Sequence, residues 1–87
     1  MMKQTGDSGE REFTVIFEKD PDGGYMAMAP TLPGCHSQGE TLEEAQRNIS
    51  EAIELYIESL IAHGEPVPEE NQTFQTRVRI PVKSQAR

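Results

Sequence analysis

With 87 residues the chain makes one domain with a small core, and 34% hydrophobic content concentrates burial in few elements or shares it with a second subunit. The formal net charge of −7 argues against general nucleic-acid binding, which rests on Lys and Arg neutralising phosphates; it suits a basic protein partner as well as plain solubility. One cysteine makes neither an internal disulfide nor a zinc site, no run approaches the ~18 apolar residues of a membrane span, and the start MMKQTGDSGE lacks a signal peptide's apolar centre, so a cytoplasmic protein is expected.

Residues 1–11 are polar and Gly-containing and read as a frayed tail; 12–82 read as one domain and 83–87 as a short C-terminal tail. From Glu12 to Lys19, Phe13, Val15 and Phe17 alternate with Thr14, Ile16 and Glu18, the pattern of a strand. Asp20, Pro21, Asp22, Gly23 and Gly24 form a dense turn signal, and Tyr25 to Ala29 return as a second strand, so the two make a hairpin. Pro30 and Pro33 interrupt further pairing, since neither donates to a ladder, and leave room for one short strand over Cys35 to Gln38.

Thr41 then opens a helix as N-cap, with Glu44 three residues on to complete a capping box. Leu42, Ala45, Ile49, Ala52, Ile53, Tyr56 and Leu60 recur at steps of three and four, with Ile57 and Ile61 widening the stripe; this is the period of a helix with one face buried. Gly64 supplies a left-handed stop with Pro66 just beyond. After the connector EPVPEENQ, Phe74, Thr76, Val78 and Ile80 alternate with Gln75, Arg77 and Arg79, a last strand closed by Pro81.

The chain order is therefore β-β-β-α-β: an α+β domain with a three- to four-stranded, mainly antiparallel sheet and one long helix across a face. The uncovered face carries Ile16, Met26 and Met28, so self-association as a dimer or tetramer is expected.

No residue set assembles an active site or a metal centre, and no cofactor is expected. Glu43, Glu51, Glu54 and Glu58 fall opposite the apolar stripe, where carboxylates ordinarily solvate a helix; the sharper reading is an acidic surface for a basic partner. Asp20 and Asp22 suit side-chain bonds to a turn. Cys35 and His36 are adjacent and point to opposite sides of a strand, so Cys35 reads as a small buried hydrophobe and not as a nucleophile with its base. His63, in the last helical turn, complements the helix dipole.

The hairpin turn from Asp22 through Gly24 to Tyr25, the step Pro33-Gly34-Cys35, the run of Gly39, Thr41, Glu44 and Ala45, and the helix pattern from Ile49 to Ile53 together resemble the N-terminal domain of HicB-family antitoxins. The resemblance covers roughly residues 13 to 62. It implies a cut-down ribonuclease H-like fold without the catalytic acids, an oligomer, and a HicA-like partner, a small basic toxin that cleaves mRNA. Many members also carry a C-terminal helix-turn-helix or ribbon-helix-helix segment. The seven residues after Ile80 are too few for either, so operator binding is not expected of this stretch.

The candidate contact surfaces are the acidic helix face and the loop with Pro33, Gly34 and His36; Gly24, Cys35, Gly39, Thr41, Glu44, Ala45 and Gly64 have structural reasons for their positions. Two other readings compete with the antitoxin: an orphan self-assembling scaffold or ligand binder, and a residual nuclease. The nuclease would need convergent carboxylates for paired metals, and the first strand offers only Glu12 and Glu18.

Overall fold

The computed structural model describes residues 10–70 and 75–83. It contains β1 (Ile16–Lys19), β2 (Tyr25–Met28), β3 (His36–Gly39) and α1 (Leu42–Ala62). The sheet order is β1-β2-β3, antiparallel throughout, so each strand pairs with its neighbour in the chain. Most of the expected tail over 1–11, Phe74, and all but Lys83 of the tail over 83–87 lie outside the described residues.

Two turns set the register. Pro21 follows Asp20, whose carbonyl accepts from the Gly23 N–H at 2.9 Å while its side chain accepts from the Asp22 N–H at 2.9 Å. This fixes Phe17 opposite Ala27 and Ile16 opposite Met28. Between β2 and β3 the chain closes a second turn, with the Cys35 N–H donating to the Leu32 carbonyl at 2.9 Å. Pro33 and Gly34 occupy its central positions and Gly34 has φ 82°, the left-handed value that a type II turn demands there. The turn tucks Leu32 and Cys35 inward, 1% and 6% exposed.

Strand alternation sorts the two sheet faces. Ala27, 1% exposed, points to the helix, while Met26 and Met28 on either side are 43% and 45% exposed. Ala27, Ala29, Leu32, Cys35 and Ile49 form the core, with Phe13, Val15, Phe17, Ala52, Ile53 and Tyr56 packed partly buried against it. One sheet face and one helix stripe thus face each other across the interior, as the periodicities predict.

Four local expectations are corrected. β1 begins at Ile16 and not at Glu12, because the register carries Thr14 opposite Pro30, which has no N–H to give. β3 begins at His36, since Cys35 belongs to the preceding turn. Leu42 and Ile61, 47% and 64% exposed, lie outside the buried stripe. The last strand is absent: residues 75–83 form no strand and are exposed throughout, so the order among the described residues is β-β-β-α. Alternation endows a segment with two faces, but a strand also needs a neighbour for its N–H and C=O groups, and this segment has none among the described residues of the chain.

Candidate partner-binding surface

The helix that carries the acidic residues is held at both ends. At its start the Thr41 hydroxyl accepts from the Glu44 N–H at 3.1 Å, and Glu43 and Glu44 in the first turn suit the positive end of the dipole. The Glu44 carboxylate reaches back to the Glu40 N–H at 2.8 Å, one residue before the donor a capping box would use. At its end Gly64 has φ 72°; its N–H donates to Ile61 and the Glu65 N–H to Leu60, the paired bonds of a Schellman stop. His63 is the C-cap, with its Nδ1 2.7 Å from the Ser59 carbonyl.

The remaining motif residues bring the helix against the sheet. A Cβ at Gly39 would stand 2.4 Å from the Ala45 backbone nitrogen, and one at Gly24 would stand 2.7 Å from the Gly39 carbonyl oxygen. Gly24 just before β2, Gly39 at the end of β3 and Ala45 in α1 thus stack backbone on backbone, which at positions 24 and 39 only glycine allows. Asn48 Nδ2 donates to the Gln38 carbonyl at 2.7 Å and secures the same junction. Cys35 is enclosed in the core, and burial pushes its thiol pKa up.

With that face fixed against the sheet, Glu43, Glu51, Glu54 and Glu58 all fall on the exposed side of α1. Successive spacings of three and four place Glu51, Glu54 and Glu58 on one row. Leu55 stands beside them, 66% exposed. It is out of phase with Ala52, Ile53 and Tyr56, and that phase error is the sequence signal by which an apolar group among the acids is found.

The loop candidates lie elsewhere. Pro33 and Gly34 are exposed at the β2–β3 turn, and the Pro33 carbonyl accepts from the Tyr56 hydroxyl at 2.9 Å. Tyr56 belongs to the sheet-facing side of α1, so this turn does not join the acidic row. His36 pairs across from Met28 on the uncovered sheet face, where Ile16, Glu18, Met26, Met28 and His36 line a recess of about 190 Å³. The structure therefore distributes the expected contact residues over three surfaces: an acidic helix row, a turn, and an apolar sheet face.

Glu70 has a role that nothing in its Pro- and Glu-rich surroundings marks. Its carboxylate accepts from the Thr14 N–H at 2.8 and 2.9 Å, from the Thr14 hydroxyl at 2.8 Å and from the Thr31 hydroxyl at 2.6 Å. The Thr31 bond above all, then those from Thr14, lower its pKa against the opposing effect of desolvation. Among the described residues no group of three His, Cys, Asp or Glu side chains is placed to hold a metal ion, and no helix is long and apolar enough to cross a membrane.

Comparison with known proteins places this architecture. Over 59 residues the chain is 66% identical to the UPF0150 protein ssr1765 of Synechocystis sp., covering 68% of this chain and 75% of that protein. It is 53% identical over 60 residues to the UPF0150 protein Ta0767 of Thermoplasma acidophilum, covering 69% and 87%. The crystal structure of TTHA0281 from Thermus thermophilus superposes with a TM-score of 0.60 at 28% identity, over 78% of this chain and 82% of that one. The family described as HicB-like antitoxin of bacterial toxin–antitoxin systems matches residues 13–81, a span that takes in the hairpin, the turn at Pro33, the glycine stack, the helix and the segment beyond it. The chain belongs to the HicB-like antitoxin family.

Proposed function

We propose that the chain neutralises a small basic toxin of the HicA type, an mRNA-cleaving ribonuclease, by protein–protein contact in the cytoplasm and without chemistry of its own. The family match over residues 13–81 carries the reading. The exposed row of Glu51, Glu54 and Glu58, extended by Glu43 toward the helix start, is the contact surface, and Leu55 supplies an apolar anchor among the charges. A ribonuclease must present cations to the phosphates of its substrate. An acidic row complementary to those cations speeds encounter and competes directly with RNA for the same surface. Pro33, Gly34 and His36 lie apart from this row and are not needed for it.

A small basic open reading frame is expected beside the gene, and the test pairs its product with the tagged chain. Stoichiometric chain is expected to stop mRNA cleavage by that protein in vitro and to restore growth when both are expressed. Replacing Glu51, Glu54 and Glu58 together by Lys is expected to weaken binding by at least about tenfold, with the native complex weakening as salt rises. Unabated cleavage in the presence of excess folded chain would refute the antitoxin reading. Full inhibition by the triple-Lys variant would refute the surface alone.

A further inference from the structure

Between β1 and α1 the core is not closed. Phe13, Val15 and Phe17 on one side and Ile49 and Ile53 on the other line a groove of about 410 Å³ that opens along the outer edge of β1. All three side chains on the β1 side remain only half-buried. The same edge leaves one side of the β1 backbone without a strand partner among the described residues, since β2 occupies the other.

Residues 75–83 have what this edge lacks. Val78, Ile80 and Val82 form one row and are 74%, 65% and 78% exposed; Arg77, Arg79 and Lys83 form the other. The segment starts beside β1, where Gln75 and Thr76 line a recess with Thr14, Ile16 and Thr31, and the four bonds from Thr14 and Thr31 to Glu70 hold the chain there. From that point it leaves the body, so one chain has both an open groove and an unseated apolar row.

We propose that residues 75–83 add as a fourth strand to the β1 edge of a second copy, seating Val78, Ile80 and Val82 in that copy's groove between β1 and α1. Nine extended residues reach ~30 Å, enough to cover β1 and the Phe13–Val15 lead-in. With the apolar row turned toward the helix, the basic row falls on the opposite sheet face, the side of Glu18 beside Ile16, Met26 and Met28. The segment carries three cations and no acid in a chain of net charge −7, so charge favours its docking on an acidic body of this chain. Because it is exposed throughout on its own body, the receiving one is a second copy's. Pro81, which has no N–H, is tolerated because the added strand is itself an edge. Exchange is reciprocal: two segments fill two grooves and close a two-fold dimer with no β1 edge left open.

The test uses the full chain and no toxin, so its failure leaves the antitoxin reading standing. Light scattering after size exclusion is expected to return a dimer for the native chain. The Val78→Asp, Ile80→Asp double variant is expected to run as a monomer with its far-UV helix signal retained, since both positions are exposed in the single chain; Val78→Ile should stay dimeric. In a Cys35→Ala background, chains carrying only Val15→Cys are then mixed with chains carrying only Ile80→Cys and oxidised. A disulfide joining the two kinds of chain is expected. A native chain that is monomeric at every concentration, a double-Asp variant that keeps the dimer, or a chain with both new cysteines that cross-links only within itself would each overturn the proposal; the last would seat the segment on its own β1.

Discussion

Gly39→Ala is the sharpest perturbation of the fold, because the obstruction it meets is backbone. The added Cβ would stand 2.4 Å from the Ala45 nitrogen, 2.8 Å from its Cα and 2.8 Å from the Glu44 carbonyl carbon. Relief requires the first turn of α1 to retreat from β3 by about 1 Å, in an interior as tightly packed as a crystal. That movement would stretch the 2.7 Å bond from Asn48 to Gln38 and loosen the cover over Ala27. Overpacking costs about 1–3 kcal/mol, and with helix backbone as the obstacle the upper value applies. A domain of this size is stable by only about 4–13 kcal/mol. A loss of about 3 kcal/mol lowers Tm by about 12–24 °C, read by far-UV circular dichroism. Gly34→Ala is the control: its φ is 82° but nothing lies within 4 Å of the new atom, so only the conformational cost of about 1 kcal/mol is expected. Adding Ala45→Gly should not rescue Gly39→Ala, because the Ala45 methyl is not what is struck. A Gly39→Ala protein melting within a few degrees of the native chain, or one restored by Ala45→Gly, would refute the backbone-contact account.

Glu70→Gln should weaken the tie between the connector and the start of β1, at a cost of about 1–2 kcal/mol for hydrogen bonds to a charged acceptor at a partly exposed position. The native carboxylate titrates below its unfolded value, so its contribution is fully present above the ordinary glutamate range and is lost as pH falls through the lowered pKa. Denaturant titrations at neutral and acid pH should therefore converge for the two proteins in acid; a constant gap would rule out the linkage. Cys35, enclosed and with its thiol pKa raised, should react with iodoacetamide far more slowly in native buffer than in urea. Equal rates would mean that the Pro33-Gly34 turn does not hold it inside.

The parts of the fold that were legible from residues are those whose instructions are local. Thr41 and Gly64 punctuate α1 within one turn of its ends, and the stripe from Ala45 to Tyr56 states which face is buried. The hairpin follows in the same way from Asp20 through Gly24. What was not legible depends on partners distant in sequence. The alternation over residues 75–83 is as regular as that over 13–18, yet only the latter runs into β1, where β2 meets it from Ile16 on. Glu70 resembles Glu69 and Glu65 in every local respect and differs only in lying within reach of Thr14 and Thr31. The acidic row was legible because helical spacing alone defines it. Its separation from Pro33 and His36 depends on how the sheet is laid against the helix, which no spacing encodes.

The chain-neighbour order of the sheet has a consequence for how the protein is made. β1 meets β2, β2 meets β3, and β3 leads straight into the helix that covers them, so every pairing in the body closes a short loop. Such contacts form early and fast. During synthesis the body can assemble once Gly64 has cleared the exit tunnel, before the Glu70 clasp is available and before residues 75–83 emerge. On the proposed exchange, the segment that completes the sheet's edge arrives after the groove that receives it already exists, which makes assembly between chains a separate event from the folding of each.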